Sequence, residues 1–228
     1  MDLIAYLAAV TAHPGFTRRF FSDLRTSSIR IPITGELELW IAAVQLGREV
    51  ISLHTYGERC VDPAAGRPGG PPRIGVDRPR VQVGIPDTEG EMPERIAYDE
   101  TTRTLHVGKG QIAPVSPAVW NYNVSGMWVV KHWFGYRRKN PAGSRKSPLD
   151  HIVARTWTPS PTTELLELLN VLERCVLLEP HQDKLLGSII DAPLITVDDL
   201  TASGILPVPA AARSIPKPSP ASDLFSLE

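Results

Sequence analysis

The amino-acid sequence has none of the features that would place the protein in a membrane or outside the cell. No apolar run approaches the ~18 residues that a membrane span requires, and the first residues carry Asp2 without the basic segment of a signal peptide. Only two cysteines occur, Cys60 and Cys175, and their number and spacing suggest neither a disulfide framework nor a metal site. We therefore expect a cytoplasmic protein with reduced thiols and no membrane partner.

The motifs of common enzyme sites are missing as well. The sequence contains no HExxH, no GxSxG, no Walker loop and no GxGxxG after a predicted strand. The six histidines do not have the spacing of metal ligands. An unfamiliar reaction would depend on His54 and Tyr56, although a histidine at a helix end more commonly caps the helix. We expect no catalytic residue, no metal and no cofactor in this chain.

Acidic residues are absent from residues 101–149, although the whole chain has a net charge of −1. This segment is therefore +8 and the rest of the chain −9. Its cations are Arg103, Lys109, Lys131, Arg137, Arg138, Lys139, Arg145 and Lys146. Charge segregation of this kind favours a local surface for a polyanion, which the balance over the whole chain conceals.

Residues 119–146, here called the aromatic–basic stretch, interleave most of these cations with large aromatic side chains. The first half predicts a strand or turn that enters a short helix, on which Trp128, Lys131 and His132 share one face. The second half leaves that helix through a loop rich in Gly, Pro, Asn and Ser. An apolar anchor followed by a cationic loop suits a phosphate backbone. A solvated helix face with a charged loop would have the same composition.

The order of elements predicts an α+β fold that begins with helices. Apolar residues at helical spacing predict N-terminal helices over residues 3–12, 16–24 and 36–54. The apolar stripe of the third helix is expected to be Leu37, Trp40, Ile41, Val44 and Ile51.

A small central antiparallel sheet is predicted from four short alternating segments, over residues 80–85, 95–98, 104–107 and 111–115. The acids ahead of the second strand are expected to form a solvated loop cluster, with a metal site there as a remote alternative; they are Asp87, Glu89, Glu91 and Glu94.

The C-terminal half is expected to end in a helical hairpin and a tail. Helices over residues 162–178 and 182–190 are separated by Pro180, which predicts the hairpin. The proline-rich residues from 207 onward have too little apolar surface to fold and predict a disordered tail.

The expected organisation of the chain therefore has four parts. They are an N-terminal helical part (1–57), a β-rich part with the basic loop (58–157), C-terminal helices (158–206) and the tail (207–228).

Four segments of the sequence, in order and spacing, resemble the C-terminal specificity region of type ISP restriction–modification enzymes. They are LAAVTAHPGFTRRF, RIPIT, LGREVISLHTYGER and VWNYNVSGMWVVKHWFGYR, and the resemblance extends over residues 3–195. These bacterial enzymes fuse a nuclease, a helicase-like translocase, an N6-adenine DNA methyltransferase and a target-recognition domain. The pattern that includes Trp120, Tyr122, Gly126, Trp133 and Arg137 is also similar to recognition domains of fused type II enzymes.

The resemblance implies a non-catalytic module that binds a specific sequence in double-stranded DNA. The chain has no NPPY-type loop and no glycine-rich S-adenosylmethionine motif. Catalysis and that cofactor would therefore belong to a methyltransferase domain or subunit, in cis or in trans. DNA recognition would position an adenine for extrusion into that domain, and the N-terminal helices would pack near it.

Residue chemistry then gives candidate roles on the DNA. The cations expected to hold phosphates are Lys109, Lys131, Arg138, Lys139, Arg145 and Lys146. Because Asn suits adenine and Arg suits guanine, the candidates for base edges are Asn121, Asn123, Ser125, Arg137 and Asn140. Tyr122 and Gly126 complete the candidate surface, and Gly126 permits a close backbone approach or a tight turn.

Two other functions also fit the sequence. A protein-interaction or scaffold module of a phage-defence system would use the basic patch on an acidic partner and bind DNA weakly, without sequence preference. An autonomous enzyme would carry a cleft that contains His54 beside a strongly perturbed neighbour.

Overall fold

The computed structural model of the protein describes residues 1–26, 30–75, 77–139, 152 and 154–213, which form an α+β fold as predicted. The chain begins with α1 (Asp2–Thr11), α2 (Pro14–Arg19) and a 3₁₀ turn (Asp23–Arg25), followed by α3 (Leu37–His54). The second predicted helix is thus shorter than expected, because the backbone leaves helical geometry at Phe20.

The buried face of α3 agrees with part of the predicted stripe, because Val44 is buried and Trp40 and Ile51 are partly buried against the same core. Leu37 and Ile41 are 69% and 51% exposed, so their place in that stripe was wrong. The buried side instead includes the small residues Ala43 and Gly47. A Cβ added at Gly47 would lie 1.6 Å from the Ala5 carbonyl oxygen, which shows how closely α3 approaches α1. The close backbone approach at Gly47 therefore adds to apolar packing by Val44, Val50 and Leu53 on the buried face of α3.

The predicted antiparallel sheet is confirmed. Its strands are β1 (Arg80–Val83), β2 (Ile96–Asp99), β3 (Thr104–Val107) and β4 (Gly110–Ala113), hydrogen-bonded in the order β1-β4-β3-β2. Leu105, Val107 and Ile112 are fully buried and form the core of the β-rich part together with Trp157 and residues of the long C-terminal helix.

The aromatic–basic stretch follows the sheet directly. It begins with α4 (Pro117–Trp120), continues with a hairpin of β5 (Asn123–Val124) and β6 (Met127–Trp128), and ends its described part with α5 (Val129–Gly135). A strand or turn that enters a short helix was predicted here and is confirmed. Val119, Val130 and Phe134 anchor the stretch in the core beneath the sheet.

The predicted C-terminal helical hairpin is wrong: one continuous helix, α6 (Pro159–Asp191), contains Pro180 in its interior. A proline in a helix interior costs about 3 kcal/mol. Both sides of this one are packed, however, because Leu169 lies in the core of the β-rich part and Leu186 in the core of the helical part. Buried apolar surface at both ends therefore offsets the proline.

Two short helices follow, α7 (Val197–Ala202) and α8 (Ala210–Arg213), so the described start of the predicted tail includes a helical turn. The rest of that tail, residues 214–228, lies outside the described residues. The division of the chain into four parts stays a prediction. Helix α6 contributes to the core of the β-rich part and also to the core of the helical part. Within the described residues, every helix is too short or too polar to cross a membrane.

Candidate nucleic-acid interface

The β5–β6 hairpin gives the aromatic–basic stretch its shape. Ser125 and Gly126 form a two-residue turn and both have positive φ, at 51° and 89°. This is the backbone of a primed turn, for which glycine is favoured because it has no Cβ. The side-chain oxygen of Asn123 accepts the Gly126 N–H at 2.8 Å and fixes the turn. Gly126 therefore occupies a tight turn, one of the two roles expected for it.

Lys131 is held between two tryptophans at the base of this hairpin. Its Nζ lies 4.8 Å from the centroid of the Trp120 ring and 4.4 Å from that of the Trp128 ring. Trp120 in turn stacks on Tyr98 at 5.5 Å. Cation–π contacts of this kind contribute about 0.5–1 kcal/mol each at exposed sites. No ion pair with Lys131 occurs among the described residues, so its charge is placed on the surface without being neutralised.

Three of the four acids that the sequence assigns to a solvated cluster also pair with cations. Glu91 binds Lys109, Glu94 binds Lys139 at 2.8 Å, and Glu89 lies 3.8 Å from Arg155. The Lys109 and Lys139 ammonium groups hold the pKa values of Glu91 and Glu94 below the usual range. All four acids are exposed, in agreement with a solvated cluster, and the ion pairs with Lys109 and Lys139 neutralise part of the +8 charge. Within the described ranges, no cluster of three potential metal ligands is present.

Arg137 is the most tightly engaged of the predicted contact residues. Its Nε and Nη2 donate to one oxygen of Glu164 at 3.2 and 3.0 Å, and Nη1 donates to the Trp133 carbonyl at 3.3 Å. Its guanidinium lies 4.2 Å from the centroid of the Trp133 ring. Arg137 therefore links α5 to the start of α6. A contact between Arg137 and a DNA base would require the guanidinium to leave Glu164.

The other predicted contacts divide into three groups. Asn121 and Ser125 are exposed, and Asn123 is half-buried because its side chain serves the turn. Arg138 is half-buried, and its Nε has no hydrogen-bond partner among the described residues. The remaining predicted contacts lie outside the described residues; they are Asn140, Arg145 and Lys146.

Tyr122 links the hairpin to the interior. It packs against Leu53, Val171 and Cys175, where α3 meets α6. The Cys175 Sγ lies 4.0 Å from His54 Nε2. Burial raises the pKa of Tyr122 strongly and that of Cys175 to about 11, and desolvation lowers the pKa of His54 although part of its ring is exposed. All three groups are therefore neutral at pH 7, and a thiol in this state is a poor nucleophile.

A cavity of about 460 Å³ lies beside Tyr122, between the corner of α1 and α2 and the β5–β6 hairpin. We call it the corner cavity. One wall comes from residues 11–21, the other from residues 122–126, and His54 from the end of α3 completes the lining. The autonomous-enzyme hypothesis expects such a cleft, but the shifts in pKa there keep its groups un-ionised.

Sequence reasoning missed this cavity, because its two walls are about a hundred residues apart along the chain. The dipeptide Ser125-Gly126 signals the hairpin turn. Nothing in the sequence signals that the turn lies over α2. Arg137 and Glu164 are likewise 27 residues apart in the sequence, and Lys139 and Glu94 are 45 apart.

The fold and surface define an α+β domain with an exposed hairpin beside a partly neutralised basic face. The family model of the type ISP C-terminal specificity domain matches residues 1–168. The chain belongs to this family, and the resemblance seen in the sequence is confirmed.

Two solved structures are similar to the chain. One is a nuclease-deletion mutant of the Type ISP restriction-modification enzyme LlaGI in complex with a DNA substrate mimic, with a TM-score of 0.53 and 16% identity over 79% of this chain. The other is a DrdV–DNA complex, with a TM-score of 0.50 and 15% identity over 82% of this chain. At these identities the similarity establishes a shared fold. The chain spans 13% and 18% of those two chains. No curated protein matches it.

Proposed function

We propose that this chain binds duplex DNA with sequence specificity, as the target-recognition module of a restriction–modification enzyme. In this role it positions a target adenine for a methyltransferase domain or subunit that supplies catalysis and binds S-adenosylmethionine. Family membership supports the proposal, and both similar structures were determined as DNA complexes. The chain itself contributes binding and no reaction.

The observation that carries the proposal is the Lys131 sandwich beside the hairpin. A fixed ammonium group at the base of an exposed turn holds a phosphate at a defined distance from Asn121, Ser125 and the Asn123 amide. Phosphate contacts set register, and side chains on the adjacent turn then read base edges. Lys131 is thus the principal phosphate contact among the described residues.

The paired cations have a conditional role in this proposal. Lys109 and Lys139 bind DNA phosphates by giving up Glu91 and Glu94, and Arg137 reads a base only by giving up Glu164. Exposed ion pairs of this kind are weak, so exchange for a phosphate is feasible. Arg138 is assigned to the same binding role, and the contacts predicted at Asn140, Arg145 and Lys146 stay predictions from the sequence.

Fluorescence anisotropy with a pool of random duplex DNA, across a salt series, tests the proposal. A log–log salt slope of about −4 to −6 corresponds to roughly five to seven neutralised phosphates. Sequencing the retained fraction should yield one enriched motif. Salt-sensitive binding without a motif would contradict sequence recognition by the chain alone. Absence of binding at low salt would contradict the proposal as a whole and favour the protein-interaction alternative.

A further inference from the structure

The corner cavity has the size of a small-ligand site. Its volume of about 460 Å³ lies within the ~300–1,000 Å³ typical of such sites. A duplex does not fit in this space, whereas a single nucleotide does. The cavity is also continuous with the proposed DNA surface, because Asn123 and Ser125 belong to both.

The apolar part of the lining suits the faces of a heterocyclic ring. Phe21 on one wall and Tyr122 on the other are aromatic, and His54, at the end of α3, also lines the cavity. Phe21 is 60% exposed, and the Arg25 guanidinium lies 5.9 Å from its ring centroid, so a base can stack on the part of the ring that Arg25 does not cover. Aromatic side chains bind bases of any sequence in this way, because every base has a π face.

The polar part of the lining suits the edge of a base. The Asn123 side-chain oxygen accepts the Gly126 N–H, so its amide nitrogen points elsewhere as a donor. That nitrogen and the Ser125 hydroxyl have no hydrogen-bond partner within the described residues. Ring nitrogens and carbonyl oxygens of nucleobases are acceptors of matching kind.

A cation lies at the rim of the cavity. The Arg18 side chain is 63% exposed and pairs with Glu179 at 3.0 Å. A surface pair of this type contributes little, and a phosphate group offers the guanidinium a stronger, charge-assisted partner. Aromatic faces, an amide donor and an arginine therefore meet at one cavity.

We propose that the corner cavity binds one unstacked nucleotide, with its base against Phe21 and Tyr122, its edge on Asn123 and Ser125, and its phosphate on Arg18. This inference rests on the proposed function where the nucleotide belongs to a DNA strand. It assigns the α1–α2 corner to ligand binding, in addition to its packing role.

The experiment uses the full chain and three probes. The first is a duplex with a single 2-aminopurine bulge, the second the same duplex with 2-aminopurine paired, and the third free deoxyadenosine monophosphate. We expect the bulged duplex to bind about tenfold more tightly than the paired one, the scale of one base–aromatic stack. Its 2-aminopurine fluorescence should fall on binding, because the base stacks on an aromatic ring.

Two variants and a control test the assignment to the cavity. Phe21→Ala should remove most of the preference for the bulge, and Arg18→Gln, which removes the positive charge and keeps a polar side chain, should weaken it severalfold. Leu37→Ala removes another highly exposed apolar side chain, 69% exposed at the start of α3, and should leave the preference unchanged. Circular dichroism of each variant establishes that it is folded.

Equal affinity for bulged and paired duplexes, without a fluorescence change, would overturn the strand-borne form of the proposal. If the free nucleotide then also left the amide NMR signals of residues 122–126 unmoved, the site itself would be refuted. A preference that survives in Phe21→Ala would overturn the assignment to this cavity. If the chain fails to bind any duplex but the nucleotide shifts those signals, the proposed function fails and the site stands.

Discussion

Two regions of the molecule use polar groups in opposite ways: the helical part, which is α1–α3 with the C-terminal half of α6, and the hairpin surface, which is the β5–β6 hairpin with Lys131 and Lys139. In the helical part, the Tyr6 hydroxyl donates to the Pro32 carbonyl at 2.9 Å and accepts the Thr34 N–H at 3.1 Å. Gln182 of α6 donates to the Ala9 carbonyl at the end of α1, also in the interior. At the hairpin surface, Lys131 and Lys139 contact rings and carboxylates in water. Buried hydrogen bonds fix one fold, whereas exposed ion pairs can exchange partners.

Stability and binding should therefore be separable by mutation. Substitutions in the helical part are expected to destabilise the fold without a specific effect on DNA affinity. Substitutions at the hairpin surface are expected to change DNA affinity and leave the chain folded.

Gly47→Ala should destabilise the protein by about 3 kcal/mol or more, because overpacking against rigid backbone is among the costliest core changes. The added Cβ would lie 1.6 Å from the Ala5 carbonyl oxygen, so α1 and α3 would have to separate. Urea denaturation measures the change. Gly84→Ala is the matched control, since a Cβ there meets no atom within 4 Å, and its effect should stay within ~0.5 kcal/mol. Equal midpoints for the two variants would contradict the close packing.

Lys131→Gln should weaken duplex binding roughly fivefold and make the salt slope shallower by about 1, the signature of one lost phosphate contact. The free energy of unfolding should fall by no more than the two cation–π contacts contribute, about 0.5–1 kcal/mol each, because the side chain is exposed. The control is Arg59→Gln, which removes an exposed cation that follows α3. An unchanged slope in Lys131→Gln would remove Lys131 from the DNA surface.

His13 should make the helical part sensitive to mild acid. Burial lowers its pKa, against the opposing effects of Asp183 and Glu179, so the folded state keeps the ring neutral where the unfolded chain takes up a proton. The stabilisation is complete above about pH 6.5, the ordinary histidine value. It is lost as the pH falls through that value towards the lower pKa of the folded state.

Urea midpoints at pH 7, 6 and 5 measure this effect. The decline between pH 7 and 5 should be shallower in His13→Gln than in the unaltered protein, with the residual slope assigned to His54, whose pKa is also lowered by desolvation. His181→Gln, at an exposed position on α6, serves as the control. An identical decline in His13→Gln and the unaltered protein would exclude His13 as its source.

The same comparison explains how much of the structure could be predicted from the sequence. The four strands, α1 and most of α3 follow from periodicity, which is a local property. Leu37 and Ile41 were wrongly assigned to the buried face of α3, and the contact of Gly47 with Ala5 was not predicted, because it depends on backbone approach between distant segments. The hairpin at Pro180 was mispredicted for a related reason, since packing on two cores outweighs a local helix breaker.

The binding surface was predictable in composition and much less so in geometry. The concentration of cations in residues 101–149 is visible in the sequence, and so are the aromatics around Lys131. The pairing of Lys139 with Glu94 and of Arg137 with Glu164 is invisible there, because it depends on tertiary contacts. The number of charges available to DNA is therefore smaller than the sequence count.

The smallest expected change in DNA affinity is that of Glu94→Gln, and it distinguishes the hairpin surface from the helical part most directly. Glu94→Gln removes the partner of Lys139 and leaves the fold intact, since both side chains are largely exposed. Duplex binding should tighten about twofold, because one more ammonium group is available to a phosphate. Glu38→Gln, at the start of α3, is the charge-matched control, and it should change affinity less if the effect is local to the hairpin surface. Equal tightening in both variants would mean that net charge, rather than the release of Lys139, governs affinity. A lowered urea midpoint in Glu94→Gln would mean that the ion pair of Glu94 with Lys139 stabilises the fold.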